Sequence, residues 1–251
     1  MKNYRFFLGG RDLEMVAIKS ALVAKGVAFD DAGLGWGAKA SAYGTRIAES
    51  TERGVAPVLV ELEIDCDLPE GTIVVDHHGA RSAEKASLLQ VLDLIGVEPN
   101  REQLLVAADD AGFIPGMLAL EATPEEVFSI RARTRECQGI TAEQEAEAER
   151  AITFAERPGK ALVVVRMAHS KCATVTDRLF SSWPEGRENL LVVSVDGEVN
   201  YFGRGDICLA LKATFEGWGG GSGFGKAEGQ GYWGGNPSQP EAIATFILDR
   251  L

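Results

Sequence analysis

Short apolar runs punctuate the N-terminal half of the chain, at Tyr4–Leu8, Val55–Val60, Thr72–Val75 and Leu104–Ala107. Each reads as a short buried strand of the near-continuous apolar kind found in parallel sheets. Between them the period lengthens. Met15, Ile18, Leu22 and Val23 fall on one stripe of Leu13–Lys25, and Leu88, Leu89, Leu92 and Ile95 do so in Ala83–Ile95, which predicts two helices. Strand alternating with helix predicts an α/β protein with a doubly wound, mostly parallel sheet.

From residue 121 the texture changes. Thr123-Pro124-Glu125-Glu126 is a capping box with proline at the first helical position, and Thr141-Ala-Glu-Gln144 is a second, opening an acidic helix over Glu143–Arg157. Charged faces suit a connector, and Pro158-Gly159 then breaks the chain. A smaller α/β unit is expected to follow: strand Ala161–Val165, helix Ala173–Phe180, strands Asn189–Val195 and Glu198–Phe202, and helix Ile207–Phe215. Asp196-Gly197 supplies the positive φ of a tight hairpin, and a glycine-rich run extends from Gly217 to Gly231. The expected organisation is one domain over 1–120, a helical linker over 121–158 and a second domain over 159–251.

Composition narrows the function. The 251 residues are 45% hydrophobic and 25% charged, as in a globular protein, with a formal net charge of −12. No basic stripe is visible of the kind that tracks a polyanion, which argues against extended duplex binding. No apolar run approaches the ~20 residues of a membrane span, and the first ten residues do not read as a signal peptide. Cys66, Cys137, Cys172 and Cys208 lack paired spacing, so reduced thiols and a cytoplasmic location are expected, with no membrane partner. A homodimer is compatible with the sequence.

The chemistry concentrates where apolar runs stop. Thr72-Ile-Val-Val-Asp76-His77-His78-Gly79 holds two of the three histidines directly after a strand. The first strand runs out at Gly9-Gly10-Arg11-Asp12-Leu13-Glu14, another at Glu61-Leu62-Glu63, and the Leu104 segment at Asp109-Asp110. Parallel strands present their carboxyl ends at one edge, where open α/β sheets bind ligands. Carboxylates and imidazoles gathered there suit Mn²⁺, Mg²⁺ or Zn²⁺. Two such ions ~3.5–4 Å apart would activate water and clamp a phosphoryl group. Plainer readings exist: Asp12 and Glu14 could open a helix, Glu61 and Glu63 could form a solvated strand face, and Asp109-Asp110 could cap a turn. No Gly-x-Ser-x-Gly elbow accompanies His169, so a serine hydrolase is set aside. Arg131, Arg133 and Arg135 are read as charge neutralisation within the linker, ahead of nucleic-acid contact.

This order of motifs resembles the DHH phosphoesterase superfamily over nearly the whole chain. In that family the first strand ends in His-x-x-x-Asp-x-Asp, which Asp12 and Glu14 match, with Leu8 at the histidine position. Glu61 takes the second motif, with Glu63 and Asp65 as competitors; Asp76, His77 and His78 take the third; Asp109 takes the fourth, with Asp110 a near rival. The C-terminal part is similar to the DHH-associated domain through Gly203-Arg204-Gly205-Asp206, Gly219-Gly220-Gly221-Ser222 and Ala227-Glu228-Gly229. The resemblance implies two Mn²⁺ (or Mg²⁺) ions among Asp12, Glu14, Glu61, Asp76, His77 and Asp109. It implies catalytic roles for Asp76, His78 and Arg204. A phosphate or terminal nucleotide of a small nucleotide or short oligonucleotide would be held by His78, Arg204, Gly219, Gly220, Gly221 and Ser222. The implied activity is metal-dependent hydrolysis of a phosphodiester or phosphomonoester. Leu8, and Ser222 where the family's loop has histidine, open an alternative: a degraded member that binds a nucleotide or a partner without turnover.

Overall fold

The computed structural model describes residues 3–35, 37–159, 161–180, 189–221, 223–237 and 239–251. The chain divides into two units, Met1–Gly139 and Ile140–Leu251. The helices expected as a connector are shared between them. The one opened by Thr123 belongs to the first unit and the one opened by Thr141 to the second, because each buries its apolar stripe against its own sheet or helices.

In the first unit, β1 (Tyr4–Leu8), β2 (Ala28–Asp31), β3 (Ala56–Val60) and β4 (Ile73–Val75) form an all-parallel sheet in the order β2-β1-β3-β4. Phe6, Phe7, Leu8, Val58, Leu59 and Val60 are buried, as the continuous apolar runs of a sheet covered on both faces require. The helices are α1 (Leu13–Lys25), α2 (Gly44–Glu52), α3 (Ser87–Ile95), α4 (Arg101–Ala119) and α5 (Pro124–Cys137). Beneath α2, Phe7 and Leu59 pack with Tyr43 and Ile47. Each apolar side chain so buried contributes about 1.5–3 kcal/mol of transfer free energy. The order 2-1-3-4 starts outward from β1 in both directions, so the switch in strand order lies between β1 and β3. A ligand crevice is expected there, at the strands' carboxyl ends.

Leu104–Ala107, expected as a strand, is helical and lies inside α4. Asn100 caps that helix: its side chain accepts from the Gln103 N–H while the Gln103 side chain accepts from the Asn100 N–H. This capping box starts a helix into which the apolar run is then drawn. The helix breaks at Phe113, which sits at φ 55° and ψ −152°, two residues before Pro115. A short strand at β2 was not foreseen.

The second unit contains α6 (Ala142–Thr153), β5 (Leu162–Met167), α7 (Ala173–Phe180), β6 (Asn189–Ser194), β7 (Val199–Arg204), α8 (Gly205–Thr214), β8 (Trp218–Gly220), β9 (Gln230–Gly235) and α9 (Pro240–Leu248). Its sheet runs β5-β6-β7-β9-β8, parallel between β5 and β6 and antiparallel elsewhere. One core packs α6 and α7 against Val163, Leu190 and Val192, and the other packs α8 and α9 against Leu191, Tyr201 and Trp233. Among the described residues, no helix is long and apolar enough to cross a membrane.

Candidate metal centre

The rim of the first sheet is built by three strand exits. Leaving β1, the Gly9 amide donates to the Val60 carbonyl at 2.8 Å, and a Cβ at Gly9 would stand 2.4 Å from the Glu61 carbonyl. Only glycine lets the two exits run this close. Asp12 then caps α1, its Oδ1 accepting from the Met15 N–H at 2.8 Å, which realises the helix-opening reading. Glu14, in the first turn, is 1% exposed, and its Oε1 accepts from the Leu88 N–H at 2.9 Å. That amide belongs to the first turn of α3, where the helix dipole favours a carboxylate.

Leaving β3, Glu61 donates its N–H to the Val75 carbonyl and takes a left-handed φ of 52°. A non-glycine residue in that region is strained by about 1–3 kcal/mol, a cost that clusters at functional sites. Leaving β4, Asp76 accepts at Oδ1 from the His78 N–H and lies 2.9 Å from His78 Nδ1, so it orients that ring. His78 is half-exposed at the mouth, its ring 4.4 Å from that of buried His77.

His77 Nε2 is the meeting point. It lies 2.7 Å from Asp110 Oδ2, 3.5 Å from Glu14 Oε2 and 3.7 Å from Glu61 Oε1. Glu14 Oε2, Glu61 Oε1 and His77 Nε2 are all buried without an aligned hydrogen-bond partner. Buried polar atoms left this way are costly unless something else satisfies them. Burial, then the charge of Glu14, pushes Glu61 up to about 9, while Asp110 and Glu14 lift His77 to about 10. Burial also raises Asp12 and Glu14. A divalent cation competes for these same lone pairs and releases the protons. Glu61, His77, His78 and Asp110 each offer a ligand atom within 4.8 Å of the others, so the donor set fits a hard-to-borderline divalent ion.

The structure brings Asp110, not Asp109, to His77. Asp109 faces α5, where Arg131 Nη1 stands 3.1 and 3.0 Å from its two oxygens and the Thr134 hydroxyl donates at 3.0 Å. Neighbours on a helix point about 100° apart, so both cannot reach β4. Of the other competitors, Asp65 accepts from the Ser41 amide and hydroxyl, and Glu63 lines a cavity together with Glu61, Asp76 and His78.

No protein-family model matches the sequence, and no curated protein matches it. Among solved structures, RecJ in complex with Mn²⁺ from Thermus thermophilus matches at TM-score 0.50 and 13% identity, over 99% of this chain and 52% of that one. The chain shares its fold with that RecJ structure. The chain spans about half the length of that RecJ. A pGpG-specific phosphodiesterase, PggH from Vibrio cholerae, matches over 100% of this chain and 98% of its own at 11% identity and TM-score 0.46. An exonuclease RecJ bound to manganese matches at 12% identity and TM-score 0.43, over 98% and 89%.

Against the DHH pattern, Leu8 is 1% exposed in the sheet core, and its carbonyl accepts from the Tyr43 hydroxyl at 2.7 Å. In the second unit the Arg204 guanidinium is forked onto Asp206, at 3.1 and 2.5 Å, and donates to the Arg250 carbonyl. Gly219 and Gly220 belong to β8, where a Cβ would strike Phe224 or the Tyr232 ring. Gly221 follows β8, and Ser222 lies outside the described residues. Phe224 and Tyr232 therefore give these glycines a packing role.

Proposed function

We propose that this chain is a divalent-metal-dependent phosphoesterase acting on a phosphodiester or phosphomonoester of a small nucleotide or short oligonucleotide. One observation carries the reading: Glu14, Glu61, His77 and Asp110 leave four different segments and converge at the switch point of a DHH fold, with three buried atoms awaiting a cation. In this reading Glu14, Glu61, His77 and Asp110 hold the ion most tightly, and Asp12 and Asp76 complete a weaker second position. Two Mn²⁺ or Mg²⁺ ions held there would supply Lewis acidity and a water of lowered pKa.

The chain's own groups supply the rest. Asp76 engages Nδ1 of His78, which leaves Nε2 at the exposed mouth to protonate the leaving oxygen. Asp109, held by Arg131 and Thr134, fixes the helical phase that aims Asp110 at His77. Within the second unit, Arg204 and the Gly219–Gly221 segment are proposed to bind a phosphate group, with Arg204 exchanging Asp206 for the anion.

The test is Mn²⁺ titration calorimetry together with hydrolysis of bis(4-nitrophenyl) phosphate, on wild type and His77→Ala. The wild type is expected to bind Mn²⁺ and turn over, and the variant to lose at least a hundredfold in rate. Full hydrolysis by His77→Ala would remove the assignment. The buried leucine at the family's histidine position favours a second reading, a nucleotide-binding member without turnover; Mn²⁺ and nucleotide binding in the absence of hydrolysis would select it.

A further inference from the structure

We propose that Gln90 is a positioning residue of the metal centre: its carboxamide clamps both ends of the loop that carries His77 and His78, and so sets where His77 meets Glu14; this rests on the metal-binding reading above. Gln90 lies on α3, and its Nε2 donates to the Asp76 carbonyl at 3.0 Å and to the Lys85 carbonyl at 2.7 Å. Those two carbonyls bracket the eight residues His77–Glu84. Both partners are acceptors, so the nitrogen of the carboxamide, not its oxygen, faces them.

The need for such a clamp follows from the place of β4 in the sheet. β4 is the last strand in the order β2-β1-β3-β4, and an edge strand leaves alternate carbonyls without a ladder partner. The Val75 carbonyl turns inward and accepts from the Glu61 N–H at 2.9 Å. Those of Val74 and Asp76 turn outward, where no strand follows among the described residues. Arg81, inside the loop, donates from Nη1 to the Val74 carbonyl at 3.3 Å, and Gln90 takes that of Asp76. The loop is thus folded back on the sheet edge at its middle and closed at its ends.

The same helix holds the facing ligand. Leu88, two residues before Gln90, donates its N–H to Glu14 Oε1 at 2.9 Å. Donors within one turn of a helix are fixed relative to each other, so α3 locates both Glu14 and the start of the loop. His77 Nε2 then comes to stand 3.5 Å from Glu14 Oε2. Both clamp bonds need a side chain with at least two donors at this reach. Methionine matches glutamine in length but has no donor, ionised glutamate keeps the shape but only accepts, and lysine donates.

The test is amide hydrogen exchange in EDTA, where no metal contributes, on wild type, Gln90→Met, Gln90→Glu and Gln90→Lys. The His78, Arg81, Ser82 and Glu84 amides are hydrogen-bonded within the loop and report on it. In Gln90→Met and Gln90→Glu they are expected to exchange at least about tenfold faster, as the loss of two hydrogen bonds requires, with the Phe6 and Leu59 amides of β1 and β3 unchanged. Gln90→Lys, which restores donors, is expected to stay within about threefold of wild type. Protection retained in Gln90→Glu would assign Gln90 to packing and overturn the clamp, as would acceleration shared equally by β1 and β3. In titration calorimetry, Gln90→Met is expected to bind Mn²⁺ about 10–100-fold more weakly than wild type, and an affinity within about twofold overturns the positioning role. A wild type that binds no Mn²⁺ would strike the metal reading, while the exchange contrast, which needs no metal, decides the clamp separately.

Discussion

Replacing Arg131 by methionine removes the charge that faces Asp109 while keeping a flexible, unbranched apolar side chain in its place. The two side chains are 9% and 5% exposed, with Nη1 3.1 and 3.0 Å from the carboxylate oxygens. Breaking a buried pair from one side costs up to about 3–5 kcal/mol where the remaining charge is left dry. The Thr134 hydroxyl keeps one hydrogen bond on Asp109, which moves the expectation toward the lower end. Loss of the guanidinium 4.4 Å from the centre of the Phe113 ring adds about 1 kcal/mol. About 3–4 kcal/mol then lowers the melting temperature of a unit of this size by about 10–15 °C. Because Asp110 follows Asp109 on α4, the same change is expected to weaken Mn²⁺ binding about 10–100-fold. Urea unfolding followed by circular dichroism reads the first effect, and titration calorimetry the second. Removing both partners, as Arg131→Met with Asp109→Leu, restores most of the stability. A single variant losing under about 1 kcal/mol, or a double variant as unstable as the single, would refute the reasoning.

Gly9→Ala forces a Cβ to within 2.4 Å of the Glu61 carbonyl, so about 1–3 kcal/mol of destabilisation is expected in thermal melts, with weaker Mn²⁺ binding because Glu61 must shift. Burial pushes the thiols of Cys172 and Cys208 up to about 12, whereas Cys66 is exposed. Native protein at pH 8 is therefore expected to give a fast reaction of Cys66 with a disulfide reagent, and to release Cys172 and Cys208 only on unfolding. Arg101 holds the Glu126 carboxyl down to about 2, below its ordinary range. A depressed carboxyl stabilises the fold above its unfolded value, near pH 4.3, and loses that contribution as pH falls toward about 2. The melting-temperature difference between wild type and Arg101→Met is expected to be present at pH 6 and to vanish near pH 2; a difference independent of pH would dismiss the pair.

β1, β3 and β4 are legible in the sequence because both faces of the sheet are covered, which forces unbroken apolar runs. β2 is not, because half of Ala28-Phe29-Asp30-Asp31 is acidic. Its buried Asp30 is tolerated through Arg5 and Arg46, partners 25 and 16 residues away in sequence. β8 and β9 are hidden for a related reason. Their glycines lack strand propensity but are required where Trp218, Phe224 and Tyr232 pack directly on the backbone. An apolar tetrad such as Leu104–Ala107 cannot announce its own class. The Asn100 and Gln103 caps decide it, and they stand outside the tetrad.

That same misreading carries the one ambiguity in the site. Acids after β1, β3 and β4 can be gathered from the sequence, because parallel strands deliver their ends to one rim wherever the helices lie. Had residues 104–107 been a strand, Asp109 and Asp110 would have followed it in a loop, with either free to turn inward. On a helix the choice is made by phase, and phase is fixed by what the neighbour binds. Arg131, which charge alone assigns to neutralising its surroundings, neutralises one particular buried carboxylate and so frees the next for His77. The information that selects Asp110 is thus held 21 residues beyond it, at Arg131 on a different helix. A pairing over that distance becomes visible only once α4 and α5 are packed together.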